Sequence, residues 1–204
     1  MLACICMVTR IAITGGIACG KSLFSHYLRQ LGMDILDADD AVHELEAPGG
    51  AAVPGIRLLF GDGVIKADGG VDRLALAAIV FGDAAARVRL NDVVHPLVKE
   101  AVRQWLAAPC RRLKAVVIPL LFEAGWAGEW DVIICLTACE GVQMQRLMRD
   151  RGLSEEQARR RMAAQMPVAE KAARSHIVVN NDADAEALAQ EAAHVFRFLT
   201  ERSE

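Results

Sequence analysis

The sequence predicts an α/β fold: a five-stranded parallel sheet with helices on both faces. Three observations carry this. Five apolar runs rich in β-branched residues, at 8–14, 34–36, 115–121, 132–137 and 177–179, punctuate the 204-residue chain. The stretches between them place apolar residues at helical spacing, and such alternation implies right-handed crossovers and a doubly wound sheet. The runs are also nearly continuous in apolar character, as in Ala115-Val116-Val117-Ile118, which is how strands covered on both faces read.

The first run leads directly into Gly15-Gly16-Ile17-Ala18-Cys19-Gly20-Lys21-Ser22, which fits the phosphate-cradling pattern Gly-x-x-x-x-Gly-Lys-[Ser/Thr]. Glycines there let backbone N–H groups turn inward around a phosphate, Lys21 can reach the β- and γ-phosphate oxygens, and Ser22 can hold Mg²⁺. Leu23, Phe24, Tyr27, Leu28 and Leu31 then recur at helical spacing, so a helix N-terminus with its positive dipole end faces the anion. Strand, loop and helix occur in the order that phosphate binding requires. The second run ends in Asp37-Ala38-Asp39-Asp40, an acidic tip at the carboxyl end of a strand, where open parallel sheets bind ligands. Residues 42–113 carry turn signals and helical stripes but no strong strand, and read as a helical insertion beside the sheet. The third run closes in Pro119-Leu120-Leu121-Phe122-Glu123. After the fourth, residues 143–174 are helical and dense in arginine, with Ser154-Glu155-Glu156-Gln157 matching a capping box, and read as a lid. The expected organisation is one domain over 7–204, with its core in 7–41, 114–142 and 175–204.

Composition narrows the function. A chain that is 53% hydrophobic with a net charge of −3 has a sizeable core and no general attraction to nucleic acid; only the stretch from Arg146 to Arg161 is locally basic. Cys4, Cys6, Cys19, Cys110, Cys135 and Cys139 show no repeated metal-ligand spacing, which favours reduced thiols. Cys19, inside the loop, is either a small filler or an oxidation-sensitive thiol. Residues 1–7 are apolar but too short to span a membrane, and read as a ragged leader before Met7. A soluble, cytoplasmic protein, monomeric or weakly self-associating, is expected.

Several side chains are candidates for chemistry. Asp37 and Asp39 lie two apart on an extended tip and point to opposite sides, so one of them is better placed to meet an acceptor hydroxyl; the alternative is the N-cap of a helix. Glu123 is either a carboxylate for a metal-bound water or a turn cap. Arg146, Arg149 and Arg151 can stabilise charge on a moving phosphoryl group. Arg159, Arg160 and Arg161 point three ways around a helix and read as a solvated face. His95-Pro96 marks a turn or a kinked helix, with a histidine that touches a ligand or satisfies a backbone group. His26, His43, His176 and His194 have no partners at metal or triad spacing.

Taken together, Gly15-Gly16-Ile17, Gly20-Lys21-Ser22, Asp37-Ala38-Asp39, Val71-Asp72-Arg73, Asn91 with His95-Pro96, Pro119-Leu120-Leu121-Phe122-Glu123, Gln145-Arg146-Leu147, Ala164-Gln165 and Val179-Asn180-Asn181 resemble the dephospho-coenzyme A kinase family. These pieces run in family order over almost the whole chain from Val8. The resemblance implies a three-layer P-loop NTPase fold. It also implies transfer of the γ-phosphoryl of ATP, with Mg²⁺, to the ribose 3′-hydroxyl of dephospho-CoA. On this resemblance Gly15, Gly16, Ile17, Ala18, Cys19, Gly20, Lys21, Ser22 and Leu23 hold the nucleotide. Asp37, Asp39, Arg73, His95 and Glu123 contact the acceptor, with Asp39 as the base, and the insertion is the acceptor-binding region. Lys21, Arg146 and either Arg149 or Arg151 act on the transferred group.

The chain departs from the family pattern in three places. Ala18 and Cys19 replace the usual Gly-Ser, so Ala18 is expected to avoid a positive φ. Leu23 replaces a threonine, leaving Ser22 alone for Mg²⁺. Asp150 occupies the slot of the lid arginine. The rival readings are another small-molecule or nucleoside monophosphate kinase of the same fold, and a non-catalytic nucleotide-binding module. An Asn-Lys-x-Asp guanine motif is missing, since Asn180-Asn181-Asp182 lacks the lysine.

Overall fold

A computed structural model describes residues 10–110 and 112–201. Met7 as the start of the domain, the leader before it, Cys4, Cys6 and the opening of the first strand run at Val8 lie outside the described residues. The described residues form two compact units, one made of those up to 35 and from 110 onward, the other of Leu36–Pro109.

The first unit is built on the sheet. Its strands are β1 (Ile11–Gly15), β2 (Asp34–Asp37, whose first two residues belong here), β3 (Lys114–Val117), β4 (Val132–Thr137) and β5 (Ile177–Asn180). Their order is β2-β3-β1-β4-β5, and β1 pairs in parallel with both β3 and β4, as β4 does with β5. Alternate residues of β1 face opposite ways. Ile11 and Ile13 join Ile134 and Leu136 of β4 in a core completed by Phe24 and Leu28 of α1 (Lys21–Gln30) and by Leu188, Ala192, Val195 and Leu199 of α9 (Ala185–Glu201). The remaining helices of this unit are α6 (Glu140–Arg151), α7 (Glu155–Ala163) and α8 (Val168–Ala173), of which α8 packs on β1 and β4. The capping box expected at Ser154 is formed, with the Ser154 hydroxyl accepting from Gln157 N and the Gln157 side chain accepting from Ser154 N.

The third apolar run overshoots its strand. β3 stops at Val117, and although Ile118 N still donates to Ile13 O at 2.8 Å, Pro119 has no N–H to extend a ladder and the chain turns through to Gly125. Leu121 and Phe122 are buried inside that turn, so apolar character alone did not mark the strand end.

The second unit is helical, as its stripes predict: α2 (Ala38–Glu46), α3 (Val53–Phe60), α4 (Arg73–Gly82) and the long α5 (Ala84–Ala107), against which the other three pack. Val94, Val98, Val102 and Leu106 repeat every fourth residue along the buried face of α5. Asp72 and Asp83 cap α4 and α5 through their carboxylates. His95-Pro96 falls inside α5 rather than at a turn.

Candidate active site

The loop between β1 and α1 is shaped by two conformations that the sequence alone does not reveal. Gly20 takes φ 89° at the N-cap of α1, and a Cβ there would lie 2.1 Å from Asn181 Nδ2, so only glycine fits. Ala18 takes φ 58°, the one positive-φ residue other than glycine among the described residues, contrary to the expectation that it avoids this region. The reason is the bracing around it. Arg146 donates to Ala18 O at 3.3 Å and to Asn181 O at 2.9 Å, while Asn181 Nδ2 donates to Cys19 O at 3.0 Å. Two consecutive carbonyls of the loop are therefore held, from α6 and from the residue after β5, and the alanine follows the backbone this imposes. The sequence marks Arg146 as a phosphate contact and Asn181 as part of the family resemblance, but neither as a brace of the loop; the Asn just after the last apolar run is the signal that was available.

Lys21 is half-buried and its Nζ donates to Gly15 O at 3.1 Å and Gly16 O at 2.8 Å. Burial lowers its pKa below the ordinary 10.5, and the charges of Lys171 and Arg151 push the same way. Cys19 is fully buried and burial raises its thiol pKa, which makes it a filler and not an exposed redox group.

A cavity of about 650 Å³ opens over the loop. Ala18, Gly20, Lys21, Ser22 and Leu23 form one side, Arg146, Arg149, Asp150 and Arg151 another, and Asn181 to Ala185 a third. Gly16 and Ile17 line a second cavity of about 310 Å³ instead, together with Gln143, Gln165 and Met166. Among the predicted lid arginines, Arg149 grips its neighbour Asp150, Nε to Oδ1 at 2.6 Å and Nη2 to Oδ2 at 3.2 Å. Arg151, exposed at the last position of α6, shares the cavity with Lys21. Arg159 and Arg160 pair with Glu155 and Glu156 one turn away, the solvated face predicted for them.

The donor set suits a phosphate-bound magnesium ion. The Ser22 side chain is exposed in the cavity. No group of three or more His, Cys, Asp or Glu side chains among the described residues could hold a metal by itself. Mg²⁺ favours such a site, with one or two protein oxygens completed by phosphates and water.

The fully buried Lys171 forms an ion pair with Glu123, whose side chain stays partly open to solvent. Lys171 Nζ lies 2.8 Å from Glu123 Oε1, which also accepts from Met166 N at 3.0 Å. Burial alone pushes the Glu123 carboxyl up, but Lys171 and the backbone amides of Glu123 and Met166 outweigh it, so its pKa is lowered. Glu123, whose alternatives from sequence are a carboxylate for a metal-bound water or a turn cap, thus has Oε1 already engaged by Lys171 and Met166 N.

The helical unit holds the other predicted residues. Asp37 is the N-cap of α2, its Oδ1 accepting from Asp39 N at 3.0 Å, and this leaves the Asp39 carboxylate exposed on the first turn. Arg73 Nε lies 3.0 Å from Glu46 Oε2, a carboxylate whose pKa burial raises, with Arg73 opposing. His95 is half-buried, and burial followed by the charge of Lys99 lowers its pKa.

The family model for dephospho-CoA kinase matches residues 9–187. A dephospho-CoA kinase of Geobacillus kaustophilus is 39% identical over 179 residues, covering 86% of this chain and 89% of that one. A dephospho-CoA kinase of Anaeromyxobacter dehalogenans is 44% identical over 185 residues, covering 89% and 88%. In structure, TT1252 from Thermus thermophilus superposes with a TM-score of 0.81 at 34% identity, covering 94% of this chain and 97% of that one.

Proposed function

The chain belongs to the dephospho-CoA kinase family, and we infer from this membership and the braced loop that it transfers the γ-phosphoryl of ATP to the ribose 3′-hydroxyl of dephospho-CoA, completing coenzyme A. The observation that carries the reading is the cavity of about 650 Å³ that the loop's Lys21 and Ser22 line together with Arg151. Phosphoryl transfer asks a protein mainly to position and to neutralise, and these side chains do both.

Lys21 leaves the Gly15 and Gly16 carbonyls when phosphate oxygens replace them, and its ammonium then offsets charge on the β- and γ-phosphates. Ser22 holds Mg²⁺, which when bound would neutralise charge developing on the bridging oxygen. Gly20, Cys19 and Ala18 present backbone N–H groups, with Gly15, Gly16, Ile17 and Leu23 completing the loop. The helices over 143–174 act as the lid, with Arg151 as the arginine that reaches the transferred group. Arg149 is neutralised by Asp150, and Arg146 serves the loop's shape.

On the acceptor side, Asp39 orients the 3′-hydroxyl and accepts its proton, and the capping by Asp37 supports this by fixing the first turn that carries Asp39. Arg73 and His95 are the further acceptor contacts we assign in the helical unit, and Glu123, in the turn after β3, is the one we assign in the sheet unit. No helix among the described residues is long and apolar enough to cross a membrane, and we place the enzyme in the cytoplasm as a monomer or weak oligomer. A coupled ADP-release assay offering dephospho-CoA, AMP, CMP and shikimate tests the reading. Turnover restricted to dephospho-CoA is expected; preference for another acceptor, or ATP binding with no transfer, would overturn it.

A further inference from the structure

Lys171 is a lysine with no exposed surface, and the reaction as described makes no use of it. An ammonium so placed must find partners or cost more than an apolar residue would. Its Nζ donates to Pro119 O at 2.8 Å and pairs with Glu123 Oε1 at 2.8 Å. Arg174, just past α8, stacks its guanidinium 4.6 Å from the centre of the Phe122 ring, and Met166 N donates to Glu123 from the other side of α8. Phe122 and Glu123, the close of the turn after β3, are thus gripped by one short segment, from Met166 to Arg174.

The same Pro119 carbonyl accepts from Thr14 Oγ1 at 3.4 Å. Thr14 precedes Gly15, whose carbonyl accepts from Lys21 Nζ. A continuous path of hydrogen bonds and one peptide unit therefore joins Lys171 to the loop lysine.

We propose that Lys171 is a positioning residue for phosphoryl transfer, holding Glu123 by one carboxylate oxygen and the Pro119 carbonyl so that the turn after β3 stays in register with the phosphate loop. The inference rests on the kinase reading above. It assigns Lys171 no contact with substrate; its effect passes through Glu123 and Pro119.

Steady-state kinetics with ATP and dephospho-CoA on K171M, E123Q and K171M/E123Q tests this. A misplacement of about 1 Å at a phosphoryl-transfer site can lower the rate by about 10²-fold. K171M is expected to lose about 10- to 10²-fold in kcat with the KM for ATP within about threefold, and E123Q to lose a similar factor. The double variant should fall no further than K171M, because both substitutions break one link. A K171M rate within about twofold of the parent, or losses that multiply in the double variant, would refute the proposal. If K171M does not fold, E123Q alone carries the test, since it removes the charge that Lys171 pairs with, and a rate within about twofold of the parent would refute the proposal. Failure of the parent chain to phosphorylate dephospho-CoA would remove the kinase reading and this inference with it, whereas parent-like turnover by K171M removes this inference alone.

Discussion

Substituting Ala18 tests whether the loop is held in a conformation its sequence does not favour. At φ 58° an L-residue costs roughly 1–2 kcal/mol relative to glycine. Glycine returns about 0.4–1 kcal/mol of that through the freedom it adds to the unfolded chain. The half-buried methyl group contributes at most about 0.4 kcal/mol. A18G should therefore stabilise the protein by about 0.5 kcal/mol, a rise of about 1–2 °C in Tm for a chain of this size. A18V moves the other way, because a β-branched residue in the left-handed region is a genuine outlier; a loss of at least about 1 kcal/mol, or about 2–4 °C, is expected. Thermal unfolding of the nucleotide-free protein reads the order Gly above Ala above Val. The brace supplies a second reading, since R146A frees the Ala18 carbonyl and lets the alanine relax, so the advantage of A18G should shrink in that background. A valine variant that melts with or above the parent, or a glycine variant that melts below it, would refute the strained-loop account.

Three further outcomes follow from the site. R151A should lower kcat by about 10³-fold while R149A lowers it less than about tenfold, because a phosphoryl-directed arginine carries large transition-state stabilisation; equal losses in steady-state kinetics would contradict the division of roles. D39N should reduce kcat by about 10² to 10⁴ with ATP affinity, read by calorimetry, nearly unchanged. Brief alkylation of the folded protein followed by peptide mass mapping should label Cys110 and Cys139, which are exposed, and spare Cys19 and Cys135. Burial pushes the Cys135 thiol up to about 11, so little thiolate is present at neutral pH; rapid labelling there would show that the core opens.

The strands were legible because a parallel strand covered on both faces must be apolar throughout, and β4 coincides with its run at 132–137. The phosphate loop was legible because its residue types are dictated by backbone approach to an anion. What escaped the sequence was long-range. Lys171 sits in Val168-Ala169-Glu170-Lys171-Ala172-Ala173, a context in which a lysine reads as solvated, and only the fold brings Glu123 to it. Ala18 was judged by its intrinsic preference, whereas its φ is set by Arg146 and Asn181, whose donors arrive from distant segments. Run 115–121 overshot its strand for a related reason: burial of Leu121 and Phe122 in a turn leaves the same apolar signature as burial in a sheet.

The aspartate in the lid-arginine slot is best understood through the end of α6. Successive helical residues are turned by about 100°, so an arginine moved one place along the middle of a helix would face away from the site its predecessor served. Arg151 escapes this constraint because it is the last residue of α6, followed at once by Gly152 at φ 62°. The left-handed glycine ends the helix there, and a long guanidinium stem at a terminus can sweep around the helix end instead of projecting from its flank. Asp150 in turn binds Arg149 through both carboxylate oxygens, which cancels one positive charge at the rim and leaves Arg146 tied to the loop. Three arginines that looked interchangeable along the chain are thereby separated into a neutralised pair member, a brace and an exposed cation sharing the cavity with Lys21. On the division of roles proposed above, a one-residue shift is tolerable because Arg151 would act from a position whose direction the helix does not fix.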